Sequence, residues 1–300
     1  MNILQISLPK SGTFWLANIL SNIVKEAGIA EKAFVKTQPI YEAAKTWDLP
    51  IKNMLDINMI NITNEVLFYR IANIFIYPIQ DFNEYINNTT NVWTHSLACC
   101  KTPEVLEKFD KTVYIIRDPR DVAISWSHFA FTPFMKKHYY YVAGNEVNPE
   151  SFLKNKLYTC ISDWMNHVGG YLKSKKELDI YVIFYENLCN NFNNELQKML
   201  EYLEIELDSD SIARIKEQVD FTSMKKDSPD HVREGGFYKW KNVLSNEQKE
   251  KCWQIAQPLL SLLNYPLGDH DLDKLPRIPV ELPEVSSLPS GPSVCLNCKD

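Results

Sequence analysis

A single-domain α/β fold, with a central parallel sheet flanked by helices, is predicted by two observations. Short β-branched or aromatic runs recur at 2–7, 91–95, 112–117 and 180–185, and longer amphipathic stretches lie between them. Buried strands joined by crossover helices make a parallel sheet. The second observation is composition: 300 residues, 45% hydrophobic and 23% charged, are enough to bury a full core without a staple. Taken in order, the first strand is followed by Trp15, Ile19, Leu20 and Ile23 at helical spacing, so a helix opens near Ser11 or Gly12. After the strand at 112–117, Asp118 caps, Pro119 suits a first helical turn, and Val122 to Phe129 continue the helix. Phe192 to Leu203 and Asn246 to Leu263 read as further helices. From Pro266 the chain turns proline-rich and loses apolar period, which predicts an extended or disordered tail. The expected domain is therefore 1–268, with a tail at 269–300 outside the fold.

Charge and composition exclude several classes. A net charge of -6 removes the long-range case for nucleic-acid binding. The longest apolar stretches, such as 71–79, fall short of the roughly 20 residues that span a bilayer, so no membrane anchor is expected. Residues 1–10 have no basic segment before their short apolar run and read as a strand; the expected location is the cytoplasm. The seven cysteines are an odd number without a secretion signal, which argues against a disulfide framework. Cys295 and Cys298 have the gap of a zinc or redox pair, but no second pair completes four ligands, so no metal site is expected.

Two strand–turn–helix segments carry the chemistry. In Leu8-Pro-Lys10-Ser11-Gly12-Thr13-Phe14-Trp15, unpaired backbone N–H groups at a helix start carry partial positive charge. Gly12 permits close approach, Lys10 adds a cation, and Ser11 and Thr13 add hydroxyls. The segment is a phosphate site, yet it lacks the two glycines of the G-x-x-x-x-G-K-[ST] triphosphate loop. The second segment places Arg117 at a strand end and Ser125 about two turns into the next helix, where a charged fork and a neutral donor can converge on one anion.

The first loop resembles the 5'-phosphosulfate loop of sulfotransferases that use 3'-phosphoadenosine 5'-phosphosulfate (PAPS). Val113 to Phe129, with Arg117 and Ser125, is similar to the 3'-phosphate motif of that family, and Arg233 to Asn242 resembles its Arg-Lys-Gly-x-x-Gly-x-Trp-Lys segment. Glu234 stands at the family lysine and Tyr238 at the second glycine. The resemblance spans about 2–268. It implies a P-loop nucleotide-kinase-like topology, PAPS as co-substrate, PAP as product and no metal. It further implies that Lys10, Ser11, Gly12, Thr13 and Phe14 bind the cofactor, that Trp15 stacks on the adenine with Tyr185, Thr222 and Met224 nearby, and that Arg233, Glu234 and Gly235 lie over the cofactor.

His95 follows the strand at 91–95 and falls at the family Lys-x-His position, where it would be the catalytic base with Lys10 stabilising the transferring group; Trp93 replaces the lysine, and Lys101 is a candidate substitute. The segments 34–85 and 131–147, rich in aromatic residues, are expected to enclose a small-molecule acceptor, with His138 at the rim. Overall acidity favours a neutral or cationic acceptor, an alcohol or an amine. The sequence lacks the family's C-terminal dimer motif, so it assigns no oligomeric state. Two other readings stay open: a P-loop small-molecule kinase and a non-catalytic PAP-binding module.

Overall fold

The computed structural model describes residues 1–49, 53–175, 177–227, 235–268 and 271–283. Its strands are β1 (Ile3–Ser7), β2 (Asn58–Ile62), β3 (Leu67–Ile71), β4 (Phe75–Pro78), β5 (Asn91–Thr94), β6 (Lys111–Ile116) and β7 (Ile180–Phe184). They form one seven-stranded sheet in the order β4-β3-β2-β5-β1-β6-β7. The run from β2 through β7 is parallel, and β3 and β4 extend it by antiparallel pairing. The four strands anticipated from the sequence are the central and right-hand ones. β2 and β3 were not anticipated, because Asn61 and Arg70 interrupt their apolar runs, and β4 is only four residues long and ends in Pro78.

Both faces of the parallel part are covered, which explains its continuous apolar runs. Leu4, Ile6, Tyr114 and Ile116 face one cluster, packed by the helices Pro119–Phe129 and Pro149–Lys175. Ile3, Val113, Ile115 and Ile183 face another, packed by Leu16, Ile19, Leu20 and Ile23 of the helix Thr13–Glu26. Asp118 caps the Pro119 helix by accepting from the Arg120 N–H, with Pro119 in its first turn, as the sequence dictates. The helix Asn246–Leu262 begins with a capping box between Ser245 and Gln248. The long helix at 149–175 was missed, although Leu157, Ile161, Trp164, Val168 and Tyr171 recur at helical spacing.

The described part of the proline-rich segment is extended and packs against the domain. Residues 271–283 lack regular secondary structure, yet Leu272, Ile278 and Leu282 pack on the core. The Arg277 N–H donates to the Leu263 carbonyl at 2.9 Å, and Tyr238 Oη donates to the Lys274 carbonyl at 2.8 Å. Proline removes donors without removing apolar surface, so an extended strap can still dock. Cys295 and Cys298 lie outside the described residues.

Candidate active site

The order β5-β1-β6 places the sheet's crevice above the carboxyl end of β1, where the connections leave in opposite directions. A cavity of about 870 Å³ opens there. Its floor is the turn between β1 and the Thr13 helix. Lys10 and Gly12 both adopt positive φ, 73° and 100°, which winds the chain tightly into the helix start. A Cβ on Gly12 would stand 2.7 Å from Tyr185 Cδ2, so only glycine fits. Lys10 lines the cavity with its Nζ 3.7 Å from the centre of the Phe129 ring.

Arg117 enters from the end of β6. Its Nη1 donates to the Lys10 carbonyl at 3.4 Å and its Nη2 to the Gly236 carbonyl at 3.3 Å, which joins the first loop to the 235–239 segment. The guanidinium lies 4.0 Å from the centre of the Tyr185 ring, and its buried Nε has no hydrogen-bond partner. An orphaned donor beside a glycine cradle fits a phosphate-bearing ligand. Trp15 makes an edge contact with Tyr185, with centroids 5.6 Å apart, and its Nε1 donates to the Val219 carbonyl at 3.0 Å.

His95 comes directly after β5, beside Ser7 at the end of β1. Its Nδ1 is 2.7 Å from the Ser7 carbonyl and 3.2 Å from Ser7 Oγ. A carbonyl only accepts, so Nδ1 carries the hydrogen and Nε2 keeps its lone pair. Desolvation, followed by the charge of Arg70, pushes the imidazole pKa down to about 4. The ring is therefore neutral near pH 7, as a base requires.

Most of the expected site residues meet on this cavity: Lys10, Gly12, Thr13, Phe14, Trp15, His95, Arg117, Ser125, Tyr185, Met224 and Gly235 all line it. Ser11 does not. It is 1% exposed, tucked beneath the turn with its N–H on the Leu8 carbonyl. Thr222 is exposed and away from the wall, because the helix Phe221–Asp227 presents Phe221 and Met224, three residues apart, to the cavity and turns Thr222 outward. Lys101 and His138 do not line the cavity either. Arg233 and Glu234 lie outside the described residues.

Three charged residues were not singled out from the sequence. Arg70 on β3 lines the cavity. Asp121 accepts from the Trp240 N–H at 3.0 Å and is pushed up to about 6 by burial. Glu186, fully buried, accepts from the Asp118 N–H at 2.8 Å and is raised to about 8 by burial. Asp121 belongs to the Arg117 motif and was in view; its partner is 119 residues away. Beneath them Arg120 grips Asp118 with Nε at 2.9 Å and Nη2 at 2.6 Å, both side chains fully buried, which makes Arg120 a structural cation.

The family model of the sulfotransferase domain matches residues 2–264. Sulfotransferase 1 family member D1 of Mus musculus is 27% identical over 277 residues, covering 83% of this chain and 80% of that relative. An amine sulfotransferase of Oryctolagus cuniculus is 25% identical over 277 residues, covering 85% and 79%. Among solved structures, mouse sulfotransferase SULT7A1 complexed with PAP aligns with a TM-score of 0.56 at 21% identity, covering 86% of this chain and 83% of that one. Retinol dehydratase in complex with androsterone and inactive cofactor PAP aligns at 0.55 and 18% identity, covering 86% and 80%. At those identities the two structures speak for the fold alone. Among the described residues no helix is long and apolar enough to cross a membrane. With the family model matched over nearly the whole described chain, and the expected loop and strand-end residues gathered on one crevice, the chain belongs to the sulfotransferase family.

Proposed function

We propose that this sulfotransferase takes its sulfuryl group from PAPS, transfers it to a hydroxyl or amine of a small-molecule acceptor, and releases PAP. The observation that carries the reading is His95: with Nδ1–H held by the Ser7 carbonyl, its basic Nε2 belongs to a ring lining the same cavity as Lys10. PAPS, when bound, supplies the activated sulfuryl group. The N–H groups at the start of the Thr13 helix and Lys10 hold the 5' end and stabilise negative charge there. Arg117, Ser125 and Gly235 hold the 3'-phosphate, while Trp15, Tyr185 and Met224 wall the base. His95 Nε2 accepts the proton of the acceptor. Two solved structures of similar fold carry PAP in their descriptions, and one relative is named for amines, which is consistent with this donor and with either acceptor class. No step assigned to these residues requires a metal.

The test is transfer of label from [35S]PAPS to a panel of small alcohols, phenols and amines. Wild type is expected to label at least one acceptor, and Lys10→Ala and His95→Ala to be severely impaired. Near-normal turnover by both variants would overturn the assignment.

A further inference from the structure

Arg70 stands in a place that neither the cofactor nor the base accounts for. β2 and β3 pair Ile60 with Tyr69, so one residue further along Met59 faces Arg70, while Met59 pairs with Trp93 and Trp93 with Gln5. The four residues form one row across the sheet, with Arg70 three strands from β1, roughly 14 Å at about 4.8 Å per strand. That separation sets Arg70 on the side of the cavity away from the phosphate turn, among Met54, Met59, Phe134 and Tyr139.

The guanidinium is uncompensated. Its Nε is buried without a hydrogen-bond partner, and among the described residues no carboxylate pairs with it. Desolvation holds its pKa below the ordinary arginine value, and the nearby Tyr139 and Tyr141 oppose that only in part. A buried cation without an anion is costly, and the fork of an arginine matches a carboxylate in two parallel hydrogen bonds. Trp93 and Met59 stand between Arg70 and the β1 turn in that row, so the cation lies away from the phosphate turn.

We infer that the acceptor carries a carboxylate, and that Arg70 is the specificity residue that binds it while the acceptor's hydroxyl or amine lies at His95. A carboxylate fits better than a phosphate ester. One guanidinium matches one negative charge, and the other cations on the wall, Lys10, Arg117, Lys216 and Lys239, come from the phosphate turn, the end of β6, the helix Ser209–Gln218 and the segment after Gly235. The sequence expectation of a neutral or cationic acceptor rested on the net charge of the whole chain; the cavity wall opposite the cofactor turn has a local charge of opposite sign. This inference rests on the sulfotransferase reading above.

The test uses the PAP-saturated protein and two matched pairs: 3-(4-hydroxyphenyl)propionate with its methyl ester, and 12-hydroxydodecanoate with its methyl ester. In calorimetric titration at least one acid is expected to bind about 10- to 100-fold more tightly than its ester, the range for a charge-assisted hydrogen bond. Arg70→Gln is expected to abolish that preference and Arg70→Lys to retain part of it, with the Kd of PAP unchanged in both, which shows that each variant is folded. Acids that bind no better than esters, or a preference that survives Arg70→Gln, would overturn the inference while leaving the donor assignment standing. So would an equal loss of kcat with acid and ester in Arg70→Gln, which would place the guanidinium at the transferring group. Failure of PAP to bind wild type would overturn the donor assignment, and this inference with it.

Discussion

The two sides of the cavity are built differently. On the cofactor side, Lys10 to Trp15 follow β1 without interruption, and Arg117 and Ser125 follow β6 within a single strand–turn–helix. Anion binding there is local chemistry: a strand end delivers the chain to a helix start, and glycine lets the ligand approach. The acceptor side is assembled from Met54, Met59, Arg70, His95 and Tyr139, which lie on separate segments brought together by sheet pairing. The first is a motif that any chain with this turn possesses, and the second depends on which strand pairs with which. On the proposed function, donor and acceptor recognition are expected to be separable on this fold.

Mutations divide along the same line. The largest effect is expected at His95, between the two sides: His95→Ala should lower kcat by about 10² to 10⁴-fold, the usual contribution of a general base, and leave PAP affinity within about twofold. Transfer assays and calorimetry on one preparation decide it, and a matching loss of PAP affinity would move His95 to the cofactor side. Beneath the cofactor side, Arg120→Ala strips the partner from the fully buried Asp118 and should cost about 3–5 kcal/mol in urea unfolding. Arg117→Ala should weaken PAP by about 10- to 100-fold, since it removes charge-assisted hydrogen bonds, and leave acceptor preference unchanged. An altered order of acceptors in that variant would show that the two sides are coupled.

Two smaller effects follow from titration. Glu186 is raised from an ordinary 4.5 to about 8 by burial, so its contribution to stability is full below 4.5 and is lost as pH rises through 8. Glu186→Gln cannot ionise, so its stability should gain steadily on wild type as pH rises from 5 to 8; a constant difference across that range would show an ordinary carboxylate. The smallest effect links the two sides. His95, lowered to about 4, is the acid limb of kcat/KM, so activity on an ester acceptor should stay level down to about pH 5 and fall below it. Arg70 is the charged group acting on His95, and burial outweighs it. Arg70→Gln should therefore move that limb upward by less than one pH unit; a limb near 6.5 in wild type would show a solvated imidazole.

How much was legible in the sequence follows the same division. Gly12, Arg117, Ser125 and His95 were readable because each sits at a fixed offset from a strand end, and the four parallel strands were readable from their unbroken apolar runs. Arg70 was not, because a single charge within Leu67–Ile71 gives no sign of facing a cavity until β3 is paired with β2. Thr222 was misplaced for a related reason: position in a motif does not fix rotation about a helix axis, and one residue turns a side chain by about 100°. The burial of Asp121 and Glu186 arises from contacts with Trp240 and Tyr265, far along the chain. The docking of 271–283 was hidden because prolines announce an irregular backbone without saying whether it packs.

On the proposed function, the turn at 10–13, with Arg117, is shaped for PAPS and not for a nucleoside triphosphate. Calorimetric titration of the purified protein with PAP, beside ATP and AMP, without metal and with magnesium, tests it most directly. The expected result is tight PAP binding that is indifferent to magnesium and far exceeds that of ATP or AMP. A magnesium-dependent preference for ATP would contradict it and make the short loop a kinase site.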